Sequence, residues 1–202
     1  MTKDLLIIFT KNPVLGHCKT RLAAGIGAQN ALDVYKILLA HTAAVTQEIN
    51  KKKVVFYYQE ILENDIWDPK LFDKQLQCKG DLGKKMLHAF HWGFEQGYQN
   101  IVLIGTDLID LKSTDIEEAF TSLDKNKAVF GPATDGGYYL IGLSEKNPKL
   151  FQNIPWSTSA VLHMSLKNLS LGSFHLLQPK NDIDQKEDLQ NIPLFLQYIP
   201  LP

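Results

Sequence analysis

The sequence predicts an α/β fold: a mostly parallel sheet with helices on both faces. Three observations carry this. Short apolar runs without a helical stripe alternate with segments whose apolar residues recur every three to four positions, which is the pattern of strands and helices in turn. Charged, glycine-bearing loops follow directly on two of those runs, at the strand ends where open α/β sheets bind ligands. The chain has 202 residues, 45% of them apolar, with 13 glycines and 9 prolines, which suits one domain over 1–202 with a sizeable core.

The elements follow in order. Residues 5–9, LLIIF, are too short for an ordinary helix and read as a buried parallel strand. Ala31, Leu32, Tyr35, Leu38, Leu39, Thr42, Val45 and Ile49 keep helical spacing and predict a long helix packed on one face. A second strand is expected over 54–58, with the lysine triplet 51–53 as a solvated turn before it. A polar stretch containing Pro69 leads to a helix carrying Met86, Leu87, Phe90 and Phe94 and stopped by Gly97, and then to a strand over 101–104. Ile116, Ala119, Phe120 and Leu123 stand at i, i+3, i+4 and i+7 behind Ser113 or Thr114 as cap, another surface helix. Two strands, over 128–131 and 138–143, are joined by PATDGG. A helix over about 157–168, a short strand over 174–177 and a final helix behind an acidic segment complete the pattern, with no internal repeat, linker or low-complexity tract.

Charge and composition exclude several functions. A formal net charge of −1 gives no field that would gather nucleic acid. Cys18 and Cys78 cannot build a disulfide framework, and no charged leader precedes Leu5, so a cytoplasmic location is expected. No apolar stretch approaches the ~20 residues needed to span a bilayer, which excludes membrane insertion by a helix.

The first chemical feature is KNPVLGHCKTRL, residues 11–22, which reads as a phosphate-binding loop. Pro13 and Gly16 bend the backbone, Gly16 permits close approach of main-chain amides, and Lys11, Lys19 and Arg21 bring three cations within eleven residues. The plain alternative is a solvated basic turn. Gly16 stands too far from Lys19-Thr20 for a Walker A sequence, and no Gly-x-Gly-x-x-Gly opens the next helix. Cys18 lies among these cations, which would lower its pKa, yet no histidine is paired with it. His17 is within the loop, where phosphate contact is open. His88 and His91, at i and i+3, lack the further ligands of a zinc site.

The second feature is GTDLIDL, residues 105–111, which sets Asp107 where a buried strand leaves the sheet. A carboxylate there is sited to hold Mg²⁺ or Mn²⁺ against phosphate oxygens, although Asp107 or Asp110 could equally order the turn. NDIDQKEDL, residues 181–189, adds a second acidic cluster. Asp182 and Asp184 are expected to diverge if this segment is extended, so that only one reaches the metal, and Asp107 with Asp184 would suffice beside substrate phosphates. Asp184-x-x-Glu187 also matches a capping box.

Three further segments admit two readings each. In GDLGKKM, residues 80–86, Asp81 and Gly83 could meet base or ribose, or Asp81 could cap the helix. In PATDGG, Asp135, Gly136 and Gly137 form a hairpin signal, or they clear room for a sugar or phosphate, with Asp135 accepting a proton or a hydroxyl. Trp156 and Ser157 could face an acceptor, or Trp156 could be core with Ser157 capping a helix.

The ordered set KNPVLGHCKTRL, QCKGDLGKKM, GTDLIDL, GPATDGGYYLIGL, WSTSAV and NDIDQKEDL resembles the bacterial glycosyltransferase-like proteins of the GT-A, nucleotide-diphospho-sugar transferase superfamily over nearly the whole chain. It is similar, more distantly, to the phospholactate guanylyltransferases. The resemblance implies a Rossmann-like three-layer sandwich in which Gly16, Lys19 and Arg21 hold nucleotide phosphates, Asp107 holds a divalent metal, and Asp184 completes the metal site. The residues themselves put Lys11, Pro13, Asp81 and Gly83 on the nucleotide side, and the resemblance favours Asp135 as a catalytic group and Gly136, Gly137, Trp156 and Ser157 on the acceptor side. The chain departs from that pattern at Lys85, where arginine is usual, at Ile109, where proline is usual, and at Gln185, where threonine is usual. Lysine cannot reproduce a bidentate arginine contact.

Three functions are consistent with these residues. The first is a metal-dependent transferase using a nucleotide-diphosphate sugar and a small-molecule acceptor. The second is a nucleotidyltransferase that joins a nucleoside triphosphate to a phosphorylated acceptor with release of pyrophosphate. The third is a nucleotide-binding module without turnover. Fold alone does not choose among them.

Overall fold

The computed structural model describes residues 3–200. Seven strands form one sheet in the order β3-β2-β1-β4-β6-β5-β7, with β1 Asp4–Thr10, β2 Lys52–Tyr57, β3 Asp73–Leu76, β4 Asn100–Ile104, β5 Ala128–Pro132, β6 Tyr138–Leu143 and β7 Phe174–Leu176. β1 pairs in parallel with β2 and β4, β2 with β3, and β5 with β7, while β6 runs antiparallel to both β4 and β5. The sheet is therefore mostly parallel, as the alternating pattern predicts.

Period two along the strands sorts the core into two layers. Leu6 and Ile8 of β1 join Val55, Val102, Ile104 and Val129 beneath α2, Ala28–Gln47, and α4, Ser113–Leu123. Leu5, Ile7 and Phe9 face the other way, with Val54, Phe56, Ile101, Leu103 and Phe130, against α3, Leu82–Glu95. A third cluster lies at one end: Leu22 and Ile26 of α1, Thr20–Ile26, pack with Val34 and Leu38 of α2 and with Ile183, Leu189 and Phe195. It pins the late acidic segment against the first loop.

Several expectations are corrected. β3 lies in the stretch read as polar: DKQL is largely exposed and sits at the sheet edge, so it has no apolar run to betray it. The helix expected over 157–168 shrinks to α5, Val161–Leu166, because Thr158 accepts from the Ala160 amide and donates to the Pro155 carbonyl, holding 155–160 as a turn. The final helix is replaced by two short 3₁₀ turns, Lys186–Leu189 and Pro193–Tyr198, since Pro193 has no amide hydrogen to continue a helix. The lysine triplet is not a solvated turn. Lys52 and Lys53 lie in β2, Lys53 is buried with its ammonium on the Ile49 carbonyl at 2.7 Å and over the Phe72 ring, and Lys51 and Lys52 pair with Asp4 and Asp73. Burial, seconded by Lys52, pulls the Lys53 pKa down.

Candidate functional site

The carboxyl edge of β1, β2 and β4 opens into a cavity of about 580 Å³, within the size range of ligand pockets. A recess of about 210 Å³ adjoins it, sharing Arg21, Asp135, Ser157, Thr158, Asp182 and Asp184. Lys11, Lys19, Arg21, Asp107, Asp135, Gly137, Trp156, Ser157 and Asp184 all line the cavity, so nine of the residues singled out in the sequence converge.

Neutral groups set the first loop. Asn12 is buried, donates to the Glu60 carbonyl at 2.9 Å and accepts from the Gln59 amide at 3.2 Å. The Tyr35 hydroxyl, rising from α2, accepts the Lys11 amide at 2.9 Å and lies 3.3 Å from the Thr106 hydroxyl. Gly16 takes φ +76°, a left-handed conformation that serves the turn, and a Cβ there would meet no protein atom; Gly16 and Pro13 shape the loop from outside the cavity lining. Cys18 reverses its expectation. Its thiol is buried and its pKa is raised by desolvation, with Lys11 and Lys19 too weak to compensate.

Lys19 lies at the centre of the charge arrangement. Its side chain is 5% exposed, and its backbone is left-handed at φ 48°. The ammonium meets Asp107 Oδ1 at 2.5 Å, Asp184 Oδ1 at 3.2 Å and the Ile183 carbonyl at 2.6 Å, so all three of its donors have partners. Burial pulls the Lys19 pKa down, and the two carboxylates more than offset it, leaving it raised. Arg21 reaches Asp184 Oδ2 at 3.2 Å from the exposed side. The Asp107 carbonyl also accepts the Ile183 amide at 2.9 Å, tying the two acidic segments together through backbone.

Asp182 and Asp184 do not diverge. Residues i and i+2 of an extended segment share a face, and both carboxylates turn to the cavity while Ile183 between them is fully buried. Asp188 holds this shape by accepting the Asp184 and Gln185 amides at 2.8 and 2.7 Å and the Asn181 side-chain amide at 3.1 Å. The capping box is thus built on Asp188 behind Gln185, not on Asp184 and Glu187. Burial, with Asp135, Asp184 and Asp107 nearby, pushes the Asp182 carboxyl up to about 6.

The nucleotide assignments at 80–86 are corrected in part. Asp81 caps α3, accepting the Lys84 amide at 2.8 Å, and lies outside the cavity lining. Gly83 is a packing residue: a Cβ there would come within 2.6 Å of the Trp156 indole nitrogen and 2.8 Å of the Phe151 carbonyl. Lys85 does reach the cavity, its ammonium 3.8 Å from the centre of the Tyr58 ring, with Lys11 at 5.9 Å from the same ring. Sequence reasoning missed Tyr58, Gln77, Asn12, Tyr35 and Asp188. Tyr35 was visible only as one core position of a helical stripe, and Asn12 only as part of the turn.

On the far side, Asp135 accepts the Gly137 amide through Oδ1 at 2.8 Å and lines both cavity and recess. Gly136, at φ +92°, stands against the Ser159 backbone, where a Cβ would approach within 2.2 Å; it admits the 157–160 turn and does not line the cavity. Trp156 packs partly on the α3 layer and partly lines the cavity. Ser157, at φ 65°, lines both spaces and caps nothing, since α5 begins behind Ala160.

The donor set suits a hard divalent cation. Asp107, Asp135, Asp182 and Asp184 bring four carboxylates to the cavity, where Lys19 and Arg21 pair with two of them, Asp107 and Asp184. Among the described residues, no three His, Cys, Asp or Glu side chains form a closed cage, so phosphate oxygens would have to supply further ligands. His88 and His91 form no such site either.

The architecture matches solved structures throughout its length. A protein from Desulfovibrio desulfuricans G20, provisionally described as a nucleotide-diphospho-sugar transferase, superposes with a TM-score of 0.85 at 27% identity over 94% of this chain and 85% of that one. A 4-diphosphocytidyl-2C-methyl-D-erythritol synthase from Anaerococcus prevotii DSM 20548 gives 0.65 at 10% identity over 97% and 96%. A cytidylyltransferase from Leptospira borgpetersenii gives 0.56 at 13% identity over 93% and 84%. The last two share the fold alone. The fold is that of the GT-A, nucleotide-diphospho-sugar transferase superfamily. No curated protein matches the chain. The sequence profile described as "Uncharacterized protein conserved in bacteria (DUF2064)" covers residues 35–158, which hold Asp107, Asp135 and Trp156, and the chain belongs to that family.

Proposed function

We propose that this chain is a metal-dependent transferase that takes a glycosyl group from a nucleotide-diphosphate sugar. The observation that carries the reading is the meeting, in one cavity, of Lys11, Lys19 and Arg21 with the carboxylates of Asp107 and Asp184. The likeness to the Desulfovibrio protein supports the same donor class. A polyphosphate needs both partners, cations for its own oxygens and carboxylates to share a metal with them. Mg²⁺ or Mn²⁺ held by Asp107 and Asp184 would neutralise charge on the departing diphosphate.

The chain's own residues do the rest. Lys11 and Arg21 meet the phosphates, and Lys19 keeps Asp107 and Asp184 at a fixed spacing. Asp135, through the oxygen that the Gly137 amide leaves free, takes the proton from an acceptor hydroxyl as its oxygen attacks the anomeric carbon. The bond from that carbon to the diphosphate breaks, and its electron pair leaves with the diphosphate.

Thermal unfolding against nucleoside triphosphates and nucleotide-diphosphate sugars, with and without Mg²⁺ or Mn²⁺, tests the reading. A ligand at a hundred times its dissociation constant adds ~2.7 kcal/mol of stability. The expected result is metal-dependent stabilisation by one sugar nucleotide beyond that by its bare diphosphate. Preference for one triphosphate would replace glycosyl with nucleotidyl transfer, and no shift with any of them would overturn the phosphate-binding site itself.

A further inference from the structure

The recess beside the cavity has a composition the donor side lacks. Its lining is hydroxyls, amides and four carboxylates, Asp135, Asp182, Asp184 and Asp188, with one cation, Arg21. In the proposed function that cation is committed to the donor diphosphate, and without a ligand it pairs with Asp184. The nearby Lys180 is not available either. It lies outside the lining, and its ammonium is held by the Asp110 carbonyl at 2.9 Å and by Asp115 at 3.1 Å. Asp188 is fully engaged with backbone and Asn181, which leaves Asp135 and Asp182 as the carboxylates with free oxygens.

We infer that this recess is the acceptor subsite and that it takes an uncharged or cationic polyhydroxyl compound, a polyol or amino-polyol, and rejects phosphorylated ones. The inference rests on the proposed glycosyl transfer and adds the class of its acceptor. Carboxylate oxygens only accept hydrogen bonds, so they match hydroxyl and ammonium donors. A phosphate group entering here would face Asp135 and Asp182 with no free cation, and like-charge juxtaposition is an effective means of rejecting a wrong partner. Ser157, Ser159 and Gln185 can both donate and accept, as a polyol requires. The recess opens into the cavity beside Asp135, so a hydroxyl seated in it lies next to the proposed base. The phosphorylated acceptor that nucleotidyl transfer would need finds no counterpart.

The test uses the full chain with Mg²⁺ in two steps. Calorimetry first identifies the nucleotide sugar that binds, and transfer is then measured by nucleoside diphosphate release with a panel of hexoses, hexitols, amino sugars and their phosphate esters. Binding of no nucleotide sugar would fail the glycosyl-transfer reading, whatever the acceptor. Given donor binding, uncharged or amino acceptors should exceed their phosphate esters by at least about tenfold in kcat/KM, the scale of one mismatched charge. Equal or better use of the esters, or no transfer to any uncharged or amino member while an ester reacts or only water does, would overturn the inference. Asp182→Asn should cut any preference for amino over uncharged acceptors by roughly fivefold through KM, as expected when one carboxylate facing an ammonium is neutralised; an unchanged ratio would count against that placement of the acceptor.

Discussion

The basic loop, 11–22, and the acidic segment, 181–189, face each other across the cavity, yet they are held in opposite ways. Neutral hydrogen bonds shape the loop, through buried Asn12 and the Tyr35 hydroxyl. Charges shape the segment: Asp188 gathers its amides, and the Lys19 ammonium holds Asp184 and the Ile183 carbonyl. The loop therefore leaves Lys11 and Arg21 exposed for a ligand, whereas the segment is set by the same electrostatics that a metal and a diphosphate would alter. Changes of pH or salt should act on the segment and spare the loop.

The largest expected effect is at Asp107, which touches both regions through Lys19 and Ile183. Asp107→Asn keeps the shape and removes the charge, and kcat should fall about a thousandfold, roughly 4 kcal/mol of barrier. Retained turnover in a coupled assay would remove Asp107 from the chemistry and favour a module that binds without reacting. Next, Lys19→Met leaves Asp107 and Asp184 without their shared cation. Breaking a buried pair costs about 3–5 kcal/mol, but both carboxylates are more than a third exposed, so a loss of about 2 kcal/mol in urea unfolding is expected.

Asn12→Ala should cost about 1–2 kcal/mol by stranding the Glu60 carbonyl and the Gln59 amide. Unlike the loss at Lys19, it should be the same at low and high salt; a salt-dependent loss at Asn12 would erase the distinction between the two regions. The smallest effect is a pH dependence at Asp182. Its folded-state carboxyl titrates at about 6, above its ordinary 3.8, so between these values the unfolded chain releases the proton first and stability falls as pH rises. Asp182→Asn has no proton to lose. Its melting temperature relative to wild type, in metal-free buffer, should climb from about pH 4 to about pH 6 and then stay level; a flat difference would mean that the segment is not under the stated electrostatic load.

What was legible in the sequence follows from range. Period-two and period-3.6 patterns report on neighbours a few residues away, so six of the seven strands and the helices flanking the parallel half could be read. The GTDLIDL and KNPVLGHCKTRL loops were legible because each follows an apolar strand directly. β3 was not, being a polar edge strand. The roles of Asn12, Tyr35 and Asp188 were hidden because each hydrogen-bonds backbone that no local pattern marks. Gly83 looked like a nucleotide contact and Gly136 like a ligand-clearing glycine, and both make room for protein, the Trp156 indole and the Ser159 backbone. Spacing shows that a side chain is missing, but not what fills the room.

The contact between Lys19 and Asp184 joins residues 165 apart in sequence. Closing a loop of that length carries an entropic cost that grows only slowly with length, but the closure cannot occur before the second partner exists. During synthesis from the amino end, β1, β2 and β4 can pair long before Ile183 and Asp184 emerge, so the wall that holds the carboxylates is among the last parts to be assembled. Until then, Lys19 and Asp107 stand at an open sheet edge without their third partner. Competence to bind a nucleotide in the proposed manner is thereby a report of completed folding, and a nascent or misfolded chain with an intact sheet but a displaced acidic segment would not acquire it.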